Sequence, residues 1–169
     1  MPQNLVLHVA PLPLVPAAIV VLYTAEGMPP RGHAAEIWAA TGLDFGRVST
    51  AAGFAGKQGQ VLDIAAPEGV GADRLLVLGT GKLDPDKPMS DAAWADRGGS
   101  LAAKLLAANA ETVAIVLDGH EAMPVAIAEL AAGLRLRHYR FDKYKTRKTG
   151  ERTPETLTVT LHVPDKALA

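Results

Sequence analysis

Apolar residues along the chain gather in short runs set between polar, glycine- and proline-containing stretches. Six of these runs predict strands: Leu5–Val9, Ala18–Tyr23, Gln60–Ala65, Arg74–Leu78, Thr112–Leu117 and Thr156–Val163. The runs AIVVLY, RLLVL and TVAIVL are nearly unbroken, as expected of strands covered on both faces. The last run, TLTVTLHV, alternates and is β-branched, which also marks a strand. Gln60–Ala65 follows a glycine-rich bend and reads as part of a hairpin or meander. The first two strands are joined by a proline-rich turn containing Pro11, Pro13 and Pro16.

Between the strands the apolar period lengthens to that of a helix. Residues 33–41 predict a short helix that stops at Gly42, with Ile37 and Trp38 facing the core. Ser90 is placed to cap a second helix that runs to about Ala108, with Asp91 near its positive end. Trp94, Gly98, Leu101, Ala102 and Leu105 share one face of it. Gly98 and Gly99 should each cost about 1 kcal/mol against alanine, and close packing of this helix on a sheet is the expected compensation. A third helix tolerates Pro124 in its first turn, carries the stripe Ile127, Leu130, Ala131 and Leu134, and continues towards Tyr139 and Phe141. Residues 142–154 read as a polar, basic loop. Strands alternating with helices imply an α/β fold, a three-layer domain with a mixed β-sheet flanked by helices. The 169 residues suit a single domain, 1–169.

Composition adds limits. The chain holds no cysteine, which excludes disulfides, thiolate metal sites and a cysteine nucleophile and fits a cytoplasmic protein. Leu5 to Tyr23 is largely apolar, yet no Lys or Arg precedes it and prolines interrupt it. Neither a signal peptide nor a membrane span is expected there. The net charge of −1 hides an asymmetry. Residues 1–134 carry 8 Lys and Arg against 14 Asp and Glu, whereas residues 135–152 carry 8 against 2.

Motifs for chemistry are weak. Gly79-x-Gly81 follows a strong strand, but a dinucleotide fingerprint needs a third glycine and a helix that starts in the turn. Here two prolines intervene, so a tight turn is the simpler reading. Gly53–Gly59 (GFAGKQG) resembles a phosphate loop in composition but lacks the Walker spacing, and reads as a bend. Asp118, His120 and Glu121 cluster after a strand, where a polar turn capping the next helix is a better reading than a metal site. The five histidines are scattered and read as structural or solvent-facing. Neither G-x-S-x-G nor H-E-x-x-H occurs. No catalytic, cofactor-binding or metal-ligating residue is assigned.

The sharpest anomaly is RLRHYRFDKYKTRK. Its cations Arg135, Arg137, Arg140, Lys143, Lys145, Arg147 and Lys148 alternate with aromatics and form a candidate interaction patch. Contact with nucleic acid is one reading. A helix end whose aromatics anchor while its cations stay solvated is the other. The overall pI near 6.5 favours a docking or linker role over DNA.

The same segment, Gly133-Leu134-x-Leu136-x-x-Tyr139-Arg140-Phe141-Asp142-x-Tyr144-Lys145-Thr146, resembles the stretch that closes the N-terminal domain of leucyl (cytosol) aminopeptidases. Phe54-x-Gly56-Lys57-x-Gly59, Leu75–Gly81 and Arg97-Gly98-Gly99 are similar to earlier landmarks of that family, in the expected order. The resemblance spans most of residues 1–163. It implies a macro-domain-like fold, a following C-terminal catalytic domain as partner, two divalent metals (typically zinc) in that domain, and a hexamer. Its activity would be removal of N-terminal amino acids from peptides. The family's Asn-Thr-Asp-Ala-Glu-Gly-Arg type signature is absent, so no metal ligand carries onto any position here. The resemblance thus implies a non-catalytic domain that supports assembly or substrate access. A stand-alone module binding ADP-ribose or a nucleotide through the loops after Leu78 and Leu117, or a DNA-binding accessory domain, are the alternatives.

Overall fold

A computed structural model describes residues 4–84, 86–87, 89–118, 123–143 and 154–164, with the backbone alone for 140–143. The elements are β1 (Asn4–Pro11), β2 (Ile19–Thr24), α1 (Gly32–Ala40), α2 (Phe45–Ala52), β3 (Val61–Ala65), β4 (Arg74–Gly79), α3 (Asp91–Ala107), β5 (Thr112–Val116), α4 (Pro124–Lys143) and β6 (Thr156–Val163). One six-stranded sheet has the order β1-β6-β5-β2-β4-β3. Its pairs are parallel except β3 with β4. The hairpin expected around Gln60–Ala65 is that antiparallel edge. β1 and β2, consecutive in the chain, lie apart, with β6 and β5 between them.

The pleat sorts side chains into two cores. Ile19, Val21 and Tyr23 of β2, with Val113 and Ile115 of β5 and Leu157, Val159 and Leu161 of β6, pack beneath α3 and α4. Val20 and Leu22 of β2, with Leu75, Val77, Ala114 and Val116, pack against Ala34 and Trp38 of α1 and against Phe54. Two helices on each face make the three layers. No described helix is long and apolar enough to cross a membrane.

The face of α3 read from the sequence is the buried one, for Trp94, Gly98, Leu101, Ala102 and Leu105 are all buried. Its Ser90 cap accepts from the Ala93 amide at 3.3 Å. The reason for Gly98 differs from the one expected. A Cβ there would stand 2.1 Å from the carbonyl oxygen of Leu130, so the close neighbour is helix α4 and not the sheet.

Helix α2 has no counterpart in the sequence reading. Asp44 caps it by accepting from the Arg47 amide at 2.7 Å, and Gly53 ends it at φ 63°. None of its residues is fully buried, although its apolar and polar positions are clearly segregated between two faces. Phe45 pins it, standing edge-on to Trp38 at 5.0 Å and to Phe54 at 6.3 Å between ring centroids.

Candidate functional site

The loops after β2 and β5 lead to helices on opposite faces of the sheet, α1 on one and α4 on the other. Such a divergence of neighbouring parallel strands leaves a crevice at their carboxyl ends. A cleft of about 320 Å³ occupies that position, lined by the ends of β2 and β5, the start of α1, and Leu83 from the loop after β4.

Asp118 sets the chemistry of this cleft. Its Oδ2 accepts from the His33 amide at 2.8 Å and lies 3.3 Å from His33 Nδ1. Beyond the polar turn expected from the sequence, its carboxylate sits on the N-terminus of α1. Arg31, the residue before that helix, makes no side-chain cap, and the carboxylate fills the role from 85 residues away in the chain. Gly32 makes the approach possible. Its φ is +56°, and a Cβ there would lie 2.0 Å from Asp118 Oδ2. His120 and Glu121 lie outside the described residues. Among the described residues, no three His, Asp or Glu side chains are grouped to hold a metal ion.

The two glycine-rich loops are laced to the protein itself. The amides of Gly79, Thr80 and Gly81 donate to Gln60 O, Thr24 O and Gly56 O at 2.8–3.0 Å. A Cβ on Gly79 would stand 2.2 Å from Lys57 O, which is why that strand end is a glycine. In the loop Gly53–Gly59 the amides of Ala55 and Lys57 both donate to Gln60 Oε1, at 2.9 and 3.1 Å. A side-chain amide thus fills the concavity that a phosphate oxygen would take. Both segments are held by bonds to the protein's own backbone and side chains.

Arg97 adds a further tie. Its guanidinium donates to Thr80 O and stacks on Trp94 at 4.9 Å, joining α3 to the loop after β4. On the far edge, Arg74 of β4 grips Asp63 of β3, with Nε donating to Oδ1 at 3.1 Å. The hydrogen bond first, and then the charge of Asp63, hold the Arg74 pKa above its ordinary value.

The candidate patch is partly placed. Arg135 and Arg137 are exposed on α4 beside Leu136 and Tyr139, which are 65% and 70% exposed. Arg140 and Lys143 belong to the backbone of the same helix. Lys145, Arg147 and Lys148 lie outside the described residues. Of the histidines, His8 is exposed, His33 half-buried, and His138 and His162 buried. His162, expected to be structural or solvent-facing, is buried and holds a specific place. Nδ1 lies 3.0 Å from Pro11 O, and Nε2 accepts from Val15 N at 3.3 Å. Sequence reasoning missed the Asp118–Gly32 pair and the Gln60 plug because no local pattern links residues so arranged.

Comparison with known proteins agrees with the fold. Residues 19–148 match the family model described as the cytosol aminopeptidase family, N-terminal domain. A probable cytosol aminopeptidase of Bradyrhizobium sp. is 37% identical over 167 residues, covering 94% of this chain and 32% of that protein. One of Nitrobacter hamburgensis is 43% identical over 125 residues, covering 73% and 24%. The chain thus spans about a third or less of the length of these curated relatives. Among solved structures, a tomato leucine aminopeptidase mutant superposes with TM-score 0.69 at 12% identity, covering 98% of this chain and 34% of that one. The macrodomain of Mycobacterium tuberculosis DarG gives 0.62 at 12%, covering 96% and 99%. The fold is therefore shared by leucine aminopeptidases and macrodomains, and the family match over residues 19–148 places this chain in the cytosol aminopeptidase family, as its N-terminal domain.

Proposed function

We propose that this chain is the non-catalytic N-terminal domain of a leucyl-aminopeptidase-type metallopeptidase, supporting assembly or substrate access for a protein that removes N-terminal amino acids from peptides. The observation that carries the reading is the family match over residues 19–148, joined to the lack of any metal-holding group among the described residues. The two divalent metals, typically zinc, that the family resemblance implies find no donor set among the described residues. They would be held by a catalytic domain in the remaining length that the relatives possess. That domain, and further copies in a hexamer, would be the partners of this one, in the cytoplasm. The exposed Arg135, Leu136, Arg137 and Tyr139 supply a surface for such a contact.

The test is enzymatic. This chain, supplied with zinc or manganese, should leave leucine p-nitroanilide intact, and the longer protein that carries it should cleave it. Metal-dependent turnover by the 169-residue chain would overturn the non-catalytic reading, and an inactive longer protein would overturn the peptidase one.

The cleft at the ends of β2 and β5 gives some support to the second reading, a stand-alone module binding ADP-ribose or a nucleotide. The glycine-rich loops and the start of α1 argue the other way. The amides of residues 79–81 are already donated, Gln60 fills the loop Gly53–Gly59, and a carboxylate covers the helix end a phosphate would use. Calorimetry with ADP-ribose decides it: saturable heat would restore the module reading, and the expected result is none at millimolar ligand.

A further inference from the structure

The sheet ends in two edge strands, β1 and β3, and they are finished differently. β3 is five residues long, and its exposed Asp63 is gripped by Arg74. A short edge strand carrying a charge is a poor template for further pairing. β1 is eight residues long and holds no Lys, Arg, Asp or Glu. Its Val9 is 50% exposed.

The pairing with β6 fixes which backbone groups of β1 face outward. Along a strand, successive residues turn their N–H and C=O to opposite sides. Asn4 lies opposite Thr156, and its amide donates to Glu155 O at 2.7 Å. Asn4, Val6, His8 and Ala10 therefore bond β6, while Leu5, Leu7 and Val9 direct their N–H and C=O to the open side. β6 keeps the same alternation, since the Thr158 amide and the His162 carbonyl are bonded on its β5 side. Among the described residues, no strand pairs with the open side of β1. The side chains of Leu5, Leu7 and Val9 share one face of the strand. Leu5 and Leu7 pack against the core beneath α3 and α4.

This edge is complementary to itself. About a two-fold axis at Leu7, two antiparallel copies of β1 place Leu7 opposite Leu7 of the partner and Leu5 opposite Val9 of the partner. Each of the three residues then donates and accepts one bond. Every aliphatic side chain meets another, which is a favourable cross-strand pair, and no like charges face each other. An extended peptide could use the same N–H and C=O groups, but the symmetric spacing of the aliphatic side chains selects a second copy.

We infer that two copies of this chain join edge to edge through β1, antiparallel, and continue one sheet across the pair. A strand edge is a smaller contact than the about 1,200 Å² of a stable interface, so the association is weak, with a Kd on the order of 0.1–1 mM. The inference rests on the sheet edge and not on the peptidase reading.

The test is amide hydrogen exchange of the 169-residue chain at about 20 μM and about 1 mM, with sedimentation in parallel. Val6, His8 and Ala10 should be protected at both concentrations. Leu5, Leu7 and Val9 should exchange about two- to fourfold more slowly at the higher one, as the pair forms. Val9→Pro deletes an outward N–H and spares the bonds to β6, a change that the open side of an edge strand tolerates. Val9→Lys sets a charge against Leu5 of the partner. Each should weaken association by at least about tenfold. Leu43→Lys, at another exposed aliphatic residue, should leave it unchanged. A chain that stays monomeric at about 1 mM overturns the inference. So does equal protection of Leu5, Leu7 and Val9 at both concentrations, which would mean that one copy closes its own edge. Equal weakening by Leu43→Lys and Val9→Lys overturns it as well. None of these outcomes bears on whether the longer protein cleaves peptides, so the two readings fail separately.

Discussion

Gly98 of α3 and Gly133 of α4 each lie against the backbone of the other's helix. A Cβ on Gly98 would stand 2.1 Å from Leu130 O, and one on Gly133 would stand 1.9 Å from Ala95 O. The two helices cross where neither carries a side chain, which lets Leu101, Leu105, Leu130 and Leu134 reach the sheet together. Gly98→Ala and Gly133→Ala should each therefore destabilise the protein by about 1–3 kcal/mol or more, the range for overpacking against groups that cannot move. Gly99 provides the control on the same helix. A Cβ there meets nothing nearer than 3.8 Å, so Gly99→Ala should be neutral or stabilise by up to about 1 kcal/mol through helix propensity. Urea denaturation of the three variants checks the order, and a Gly98→Ala variant as stable as Gly99→Ala would refute the crossing argument.

The contact between Asp118 and Gly32 predicts coupling. Asp118→Ala removes the cap on α1 and should cost about 1–2 kcal/mol. Gly32→Ala should cost more, because it adds a collision with the carboxylate to the strain of φ +56°. In the double variant the collision is gone and only the strain and the lost cap remain. Its destabilisation should fall short of the sum of the single effects by about 1 kcal/mol or more. Strict additivity in thermal denaturation would mean that the carboxylate does not rest on Gly32 in solution.

These two predictions also mark where the sequence was readable. The strands were legible because β2, β4 and β5 are buried on both faces and so nearly continuous in apolar residues. Helix α3 was legible because Ser90 and its stripe of large residues are local signals. Helix α2 was bracketed by Asp44 and Gly53, a capping pair visible in the sequence, and its apolar positions are segregated to one face, but it is only eight residues long and buries none of them fully, so it lacks the run of core residues that marks α3. The Asp118 cap was invisible because its partner is 85 residues away. Gly98 was recognised as needing close packing, while its partner helix depends on which elements share a sheet face, and no periodicity reports that.

His162 ties a segment without helix cover to the sheet. It is fully buried on β6, on the strand face opposite Leu161 and Val163. Val15 N can only donate, so Nε2 is the acceptor, and the ring proton resides on Nδ1 and is donated to Pro11 O. His162→Phe keeps the bulk and removes both bonds, leaving Val15 N–H and Pro11 O without this partner. A loss of about 1–3 kcal/mol is expected, with faster hydrogen exchange at the Val15 amide and little change at amides of α3. Unaltered exchange at Val15 would rule out the hook.

The outer face of α4 separates a docking surface from a nucleic-acid surface. Leu136 and Tyr139 are three residues apart and so share a helix face, and both are largely exposed. A groove beside them is floored by the small residues Ala95, Gly99, Ala103 and Ala107 of α3 and bounded by Leu136 and Arg137. An apolar centre with cations at its margin is the anatomy of a protein contact, in which buried apolar residues carry the affinity and rim charges carry little. DNA binding follows the opposite rule, since phosphate neutralisation carries the affinity and salt abolishes it. If α4 docks on the catalytic domain, Leu136→Asp with Tyr139→Asp should disrupt its association with that domain produced separately, by at least about tenfold. Arg135→Ala with Arg137→Ala should weaken it only a few-fold. Both pairs are on the surface, so each substitution should alter the folding stability of the isolated chain by no more than about 0.5 kcal/mol. The reverse ranking, together with DNA binding that weakens steeply with salt and is lost in the arginine variant, would give this face to nucleic acid instead.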